Sequence, residues 1–484
     1  MPRNPDNPTD APEQSLLQTV ITRLLRLAGG KGDGGEAQRM SLIAFAIRVF
    51  SAGLAFLSQI VLARIMGQFE YGVYVFVWVF VLILGNLACF GYQTALIRFI
   101  PQYNAENRIA ELRGIIATAQ IFAAGSAGLI GVAGMTCLYL LGDRVDHYYV
   151  APLFLGAFAL PLITLGDILD GAARANNWPV NALSPTFIIR PVLILLFVAI
   201  AVLVGFSASA VTAMTAALAA AAVTTIGQFL VLGRRLRNRF GRGERKIHFG
   251  HWLRVALPIF LVEGFYYLLT NSDVIMVGLF LEPERVATYY AAAKCMALVH
   301  FAYFAVKAGT GPRFAELVAV DDRPALAAFA SNAARWTFWP SLAIGLAVLA
   351  TGPWLLALFG PDFADGYPVM FVLLAGILAK AAIGPAEALL IMAGRERICA
   401  AVYAVAFTIN VGANLVLIPM LGIIGAAAAT AFAMIAETAL LCFIVRKELN
   451  IRMLLRIGVA RHNMEAGQEQ NGANTPKQER NGRE

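Results

Sequence analysis

Nine charged residues lie inside stretches that are otherwise apolar: Arg48, Arg190, Glu263, Asp273, Lys294, Lys307, Lys380, Glu387 and Glu437. His300, Asn86, Asn410 and Asn414 share that setting. A charge at the centre of a bilayer-spanning helix costs about 2.5–3.5 kcal/mol on insertion scales, so such residues normally face a bundle interior or a water-filled cavity. Five of the nine are basic. That bias suits a ligand with several negative charges, because Arg meets phosphate oxygens as a bidentate fork and Lys as a point charge. Arg48, Arg190, Lys294 and Lys380 are the residues expected to line such a chamber.

Plainer roles stay open for each. Arg48 and Arg190 can reach a membrane edge from their positions, and Lys307 lies near a stretch end. Lys380 and Glu387 fall close to one helical face and can neutralise each other through neighbours. His300 reads as a packed or pore-edge imidazole. The carboxylates are candidates for cation coupling. Glu263 is preferred, because it is mid-stretch with no basic residue within a helical turn; the other reading of it is a static interhelical pair. Asp273 fits either a cap for the next turn or a cation-sensitive gate, and Glu387 is the third candidate.

Catalysis has little to work with. No nucleophile–base pair, cofactor motif or metal-ligand set stands out. The five cysteines are far apart with no CxxC pair, which argues against a disulfide framework or a zinc site and for small apolar packing residues. The segment GGKGDGG at 29–35 follows no strand and lacks GK[ST], so it reads as a hinge rather than a phosphate loop.

The charged residues must be positioned by twelve apolar stretches, near 41–63, 72–93, 113–141, 150–168, 184–204, 208–232, 252–280, 286–311, 336–359, 367–392, 398–419 and 423–445. Hydrophobic residues make up 59% of the chain and charged ones 14%, against roughly 25% charged in soluble domains. A bilayer core about 30 Å thick needs about 20 mostly apolar residues per helix. The expected fold is therefore an all-α polytopic membrane protein. The polar, Pro/Asn-rich start is not expected to be a cleaved leader. Residues 16–25 carry a helical apolar stripe that suits an interfacial helix.

Basic residues alternate between the connecting segments. One set holds Arg98, Arg108, Arg174, the cluster RRLRNRFGRGERK at 234–246, Arg323, Arg395 and Arg397. The other has only Arg64, Arg144 and Arg285, with several acids. Lys and Arg favour the cytoplasmic face, so both termini are expected there. The central cluster reads as a membrane-side anchor that also meets anionic lipid, not as a nucleic-acid site, since aromatic residues are almost absent from it.

The two halves resemble each other. Tyr71-Gly-Val-Tyr74 and Val286-Ala-Thr-Tyr289 stand at matching helix starts, and each half ends in a turn leading into an Ala-rich helix. Six spans separate the copies, so they run in the same direction about an axis along the membrane normal. The expected organisation is an N-terminal segment (1–40), an N-lobe (41–232), a basic linker (233–251), a C-lobe (252–445) and a disordered tail (446–484).

Four segments carry a family resemblance: LARIMGQFEYGVYVFVW (62–78), NSDVIMVGLFLEPERVATYYAAAK (271–294), LFGPDFADGYPVMFVLLAG (358–376) and NLVLIPMLGIIGAAAATAFAMI (414–435). With them the chain resembles the polysaccharide-exporter branch of the MOP flippase superfamily, which also holds the MATE efflux pumps and the lipid II flippases. Ala287 departs from the pattern, where Gly is frequent. The resemblance implies two six-helix lobes in a V around a central cavity that opens alternately. It implies a flippase of the bacterial inner membrane for polyprenyl-pyrophosphate-linked oligosaccharides such as O-antigen or exopolysaccharide repeats. A polysaccharide polymerase and a chain-length regulator are the implied partners beyond substrate and membrane lipids, and no cofactor is implied. Drug efflux of the MATE type is the second reading and a membrane-embedded polymerase or ligase the third. An acidic, aromatic site would favour efflux, and a large outer loop with paired polar residues would favour an enzyme.

The topology is testable by impermeant thiol labelling on a cysteine-free background. Cysteines replacing Asp146 and Asp362 should react from outside, and one replacing Arg239 should not. Outside labelling at position 239 would overturn the assignment.

Overall fold

The computed structural model describes residues 33–451 and 453, with side chains described from Ile47 onward except those of Arg48 and Val49. The apolar stripe at 16–25, the tail beyond 453 and the side chain of Arg48 lie outside the described residues. Among the described residues, ten helices are long and apolar enough to cross a bilayer: Gln68–Ala105, Ile109–Arg144, His147–Ala175, Pro179–Leu203, Ala210–Phe240, Phe249–Phe280, Arg323–Ala350, Pro361–Ile383, Glu396–Leu421 and Ile423–Leu449. Pro283–Ala297 and His300–Ala319, bent by 44°, form a further span. The helix Asp33–Met66, apolar over Phe50–Met66, takes the first position. We number these spans one to twelve in chain order.

Several boundaries differ from those expected, for two reasons. Helices continue past the apolar window: the sixth runs to Phe240, so only residues 241–248 of the basic linker are non-helical. Other spans are interrupted where hydropathy is smooth. The second breaks between Gln68–Ala88 and Tyr92–Ala105, where Phe90 (φ 46°) and Gly91 (φ 75°) are left-handed. The tenth stops at Ile383, turns through Gly384 (φ 63°) and Pro385, and resumes as Ala386–Met392. The fifth contains a π-turn, Pro185–Ile189.

The apolar core is shared at one end and divided at the other. At the end away from the basic loops, one cluster joins both halves: Leu62, Tyr71, Tyr74 and Val77 pack with Val286, Tyr289, Phe359 and Phe363. At the basic end there are two clusters. One gathers Tyr92, Leu96, Tyr103 and Leu112 with Trp252 and Ala256. The other gathers Phe314, Leu326, Tyr403 and Leu441. The seventh span contributes to all three, through Ala256, Val277 and Leu269. Its start is fastened to the N-lobe: the Trp252 indole N–H donates to the Tyr103 hydroxyl at 2.9 Å, and the Lys246 N–H to the Ala110 carbonyl at 3.0 Å.

The shared end is a backbone-to-backbone contact. Gly72 lies so close to the Pro283 carbonyl that a Cβ there would stand 1.8 Å from its oxygen. The second and eighth spans, equivalent in the two halves, thus meet face to face, with the Tyr71 and Tyr290 rings 6.4 Å apart. Ala287 is fully buried in the same core. Arg64 reinforces the join by donating to the carbonyls of Leu358 (2.6 Å) and Ala357 (2.5 Å), and Gln68 donates to Thr288 Oγ1 at 2.7 Å.

A methyl group at position 72 has nowhere to go, because the obstacle is backbone. Gly72→Ala should therefore destabilise the purified protein by about 1–3 kcal/mol, read as an earlier thermal transition. Gly53→Ala, with nothing within 4 Å of its added carbon, should be neutral or stabilising through helix propensity. Equal stability of Gly72→Ala and wild type would contradict the contact.

Candidate substrate cavity

A cavity of about 460 Å³ is lined mainly by the first, second, fourth and fifth spans of the N-lobe, with Tyr267 and Lys294 reaching it from the C-lobe. It extends from Leu62 and Tyr74 of the shared core to Arg174 at the basic end of the fourth span. One wall is charged: the fourth and fifth spans supply Asp167, Asp170, Arg174 and Arg190, and Lys294 reaches in from the eighth. The lining supplied by the first and second spans is neutral and includes Gln59, Trp78 and Asn86.

Arg190 owes its position to the π-turn before it. Pro191 has no N–H to close the helical bond to the carbonyl four residues back, and a π-turn changes the angular register of the residues after it. The outcome is abrupt: Ile189 is 45% exposed on the outer surface, and Arg190 is 3% exposed inside. Its guanidinium lies over Gly166, where a Cβ would come 3.1 Å from Nη2, and its Nε stands 3.5 Å from Thr224 Oγ1. Asp167 acts on it electrostatically from the same wall. Asp170 pairs with Arg174 at 2.8 Å. Lys294 stands over the Tyr290 ring, 4.7 Å from its centroid, and no described carboxylate forms an ion pair with it. The lining holds three bases against two acids.

Of the four residues expected to line a cationic chamber, the structure brings Arg190 and Lys294 together. Lys380 is elsewhere, and this corrects the sequence reading. Its Nζ lies 2.9 Å from Glu437 and 3.9 Å from Glu387 within the C-lobe. Lys307 pairs with Glu387, and the Tyr403 hydroxyl donates to Glu387 at 2.9 Å. The Tyr266 and Tyr303 rings flank Lys380 at 5.8 and 5.7 Å. Two bases and two acids balance, so this network offers no excess charge to a ligand. Its members come from the eighth, tenth, eleventh and twelfth spans; helical spacing pointed to Lys380 and Glu387 neutralising each other, but not to Lys307 and Glu437 as their partners. His300 packs beside Phe304.

Glu263 is held across the lobe boundary. Thr94 Oγ1 donates to Oε1 at 2.6 Å and Gln93 Nε2 to Oε2 at 3.2 Å. Both donors lie in the first turn of Tyr92–Ala105, whose exposed N–H groups favour a carboxylate nearby. Gly91 permits this approach: a Cβ there would lie 2.4 Å from the Ala256 carbonyl. Asp273 is locked more tightly, accepting from the Tyr289 hydroxyl at 2.6 Å and from the Val274 N–H at 2.9 Å. Next to it Ser272 donates to Asn410 at 3.3 Å, and Asn414 to the Asn410 carbonyl at 2.9 Å.

Asp167, Asp170 and Arg174 were visible in sequence only as the ragged end of a span. The Asp170–Arg174 spacing of i,i+4 is the one local signal that they form a unit.

Comparison with known proteins agrees with this architecture. The family model described as polysaccharide biosynthesis protein matches residues 39–318. A multidrug resistance MATE transporter of the MOP superfamily in an inward-facing conformation superposes with a TM-score of 0.68 at 15% identity, over 82% of this chain and 94% of that one. Lipid II flippase MurJ, in an inward closed conformation, gives 0.66 at 16% identity, over 84% and 87%. A MOP superfamily transporter from Pyrococcus furiosus, described as having a binding pocket of reversed polarity, gives 0.57 at 14% identity, over 84% and 94%. No protein of curated function matches the chain in sequence. The family match covers more than half of the chain, and the chain belongs to the polysaccharide biosynthesis protein family, built on the MOP-superfamily transporter fold.

Proposed function

We propose that this protein flips a polyprenyl-pyrophosphate-linked oligosaccharide, an O-antigen or exopolysaccharide repeat unit, across the bacterial inner membrane by alternating access coupled to a cation gradient. The observation that carries the reading is the meeting of Arg190 and Lys294, from different lobes, in one cavity. A pyrophosphate that touches both ties the lobes together. It binds best in whichever state brings them closest, which is the differential affinity needed to shift a two-state equilibrium. A cationic drug would meet three bases at the same site, so efflux is the weaker reading.

The packing supports a direction of access. The lobes share a core at one end and separate at the other. With the basic loops on the cytoplasmic side, the divided end faces the cytoplasm. Rocking would part Gly72 from Pro283 and bring the two basic-end clusters together, with the seventh span as the pivot. Glu263 is placed to bias that motion: a cation loaded onto its carboxylate competes with the Thr94 and Gln93 bonds that hold the seventh span to the N-lobe.

Two experiments separate these roles. Arg190→Gln or Lys294→Gln should lower transport of a pyrophosphate-linked substrate about tenfold or more, since a charge-assisted contact to phosphate is worth about 1.5–3 kcal/mol. Stability should hold for Lys294→Gln, since Lys294 is only half-buried and forms no ion pair among the described residues. Lys380→Met should do the reverse, destabilising by about 3–5 kcal/mol because Glu437 is left buried without its base, and Glu437→Leu should restore stability in the double variant. Full complementation of a flippase-null strain by both Arg190→Gln and Lys294→Gln would refute the cavity assignment.

Coupling is tested at Glu263. Glu263→Gln keeps an acceptor for Thr94 but removes the cation-binding charge, so gradient-dependent transport should be lost, while Glu263→Asp should retain part of it. Wild-type transport by Glu263→Gln, with unchanged gradient dependence, would move the coupling role to Asp273 or Glu387.

A further inference from the structure

The neutral wall of the cavity is built from groups that recognise sugars. Trp78 is half-buried and stacked on Tyr74, with ring planes 11° apart and centroids 6.2 Å apart. Its partner ring holds it in place, and Tyr74 is itself buried in the shared core. A rigid, flat, partly apolar surface with a polar N–H tip fits a pyranose ring, whose C–H face is apolar and whose rim carries hydroxyls. No described residue accepts a hydrogen bond from the Trp78 indole N–H.

The side chains around it have matching spare capacity. Gln59 Oε1 accepts from the Tyr71 hydroxyl at 2.9 Å, which fixes the amide and leaves its NH2 group for the cavity. Asn86, two helical turns from Trp78 on the same span, lines the cavity, and its side-chain amide has no described hydrogen-bond partner. Gln93 spends its NH2 on Glu263, leaving its carbonyl oxygen. Amides both donate and accept, as hydroxyls require, and a small set of such groups on an aromatic-lined wall is how a pocket fixes a ligand's orientation. Charge is absent from the lining that these two spans supply and concentrated on the residues from the fourth, fifth and eighth spans. That segregation matches a ligand with two chemically distinct parts.

We infer that the lining formed by the first and second spans is a sugar-ring subsite, with Trp78 as its stacking platform and Gln59 and Asn86 as its hydroxyl partners, in the same cavity as the pyrophosphate position at Arg190 and Lys294. This deepens the flippase reading and rests on it. The first sugar is attached directly to the pyrophosphate, so it must lie beside that position when the phosphates are engaged. The subsite therefore reads the reducing-end sugar of the repeat unit, and the rest of the oligosaccharide is left to the open end of the cavity.

The test uses the full chain in lipid nanodiscs and four probes: farnesyl pyrophosphate, and farnesyl pyrophosphate carrying glucose, galactose or N-acetylglucosamine. Wild type should bind at least one sugar-bearing probe more tightly than the sugar-free one. Trp78→Ala should abolish that gain, about tenfold for a stacking contact, and leave farnesyl pyrophosphate binding unchanged. Trp78→Phe should keep most of the gain, and Asn86→Ala should alter the ranking among the three sugars. Arg190→Gln should weaken all four probes alike. Wild type that binds all probes equally, or Trp78→Ala that weakens the sugar-free probe as much as the others, overturns the subsite and leaves the pyrophosphate site standing. Wild type that binds none of the four overturns the pyrophosphate reading and the subsite with it.

Discussion

The two lobes are joined where one backbone is pressed against another. Gly72 on the second span meets the Pro283 carbonyl at the start of the eighth, with no room for a single methyl group. The two spans are counterparts in the repeat, so the contact lies where the symmetry of the two halves demands one. With the lobes pinned at that end, divergence is possible at the other, and the cavity of the N-lobe is reached there by Tyr267 and Lys294 of the C-lobe. A contact of this kind is bistable rather than elastic, because close-packed surfaces either fit or part. That property is what a rocking transporter requires of its closed end.

The second constraint is the cost of charge in an apolar medium. The protein meets it in two ways. In the C-lobe, Lys307, Glu387, Lys380 and Glu437 neutralise each other, and tyrosines occupy the remaining capacity. In the cavity, Arg190 and Lys294 rest on weaker partners: a hydroxyl at the limit of hydrogen-bond range, an aromatic face, and two carboxylates that act without an ion pair among the described residues, Asp167 on Arg190 and Asp273 on Lys294. Buried charges in balance hold helices in place. Buried charges with capacity left over are available to a ligand.

Most of the helices and the alternation of basic loops were legible in the sequence, because hydropathy and loop charge are local properties. Of the twelve spans expected, ten stand as full-length helices among the described residues, one is a bent pair, and the first is a shorter apolar segment. The likeness of the halves was legible at Tyr71–Tyr74 and Val286–Tyr289, where the structure places the two helix starts against each other. The membership of Arg190 and Lys294 in one cavity followed from charge type alone. What stayed hidden was tertiary. Lys380 has the same sequence signature as Lys294, an isolated base in an apolar run, and only the fold sets Glu437 against it. The break at Phe90–Gly91 occurs in a run of unchanged hydropathy, yet it creates the half-helix end that receives Glu263. Asn86 stood out in the sequence as a polar residue in an apolar stretch, but Gln59 and Trp78 did not, because they are ordinary residues in ordinary spans until two helices align them.

The central claim is that an anionic ligand bridging Arg190 and Lys294 drives exchange between two lobe arrangements. Spin-label distance measurements test it most directly, with one label pair at Glu106 and Asp321 on the basic end and another at Asp143 and Asp362 on the opposite end, all four exposed. On adding a sugar-bearing prenyl pyrophosphate, the account predicts a population in which the first distance shortens as the second lengthens, and no such population in Arg190→Gln. Distances that do not respond to the ligand, or that respond equally without Arg190, would contradict it.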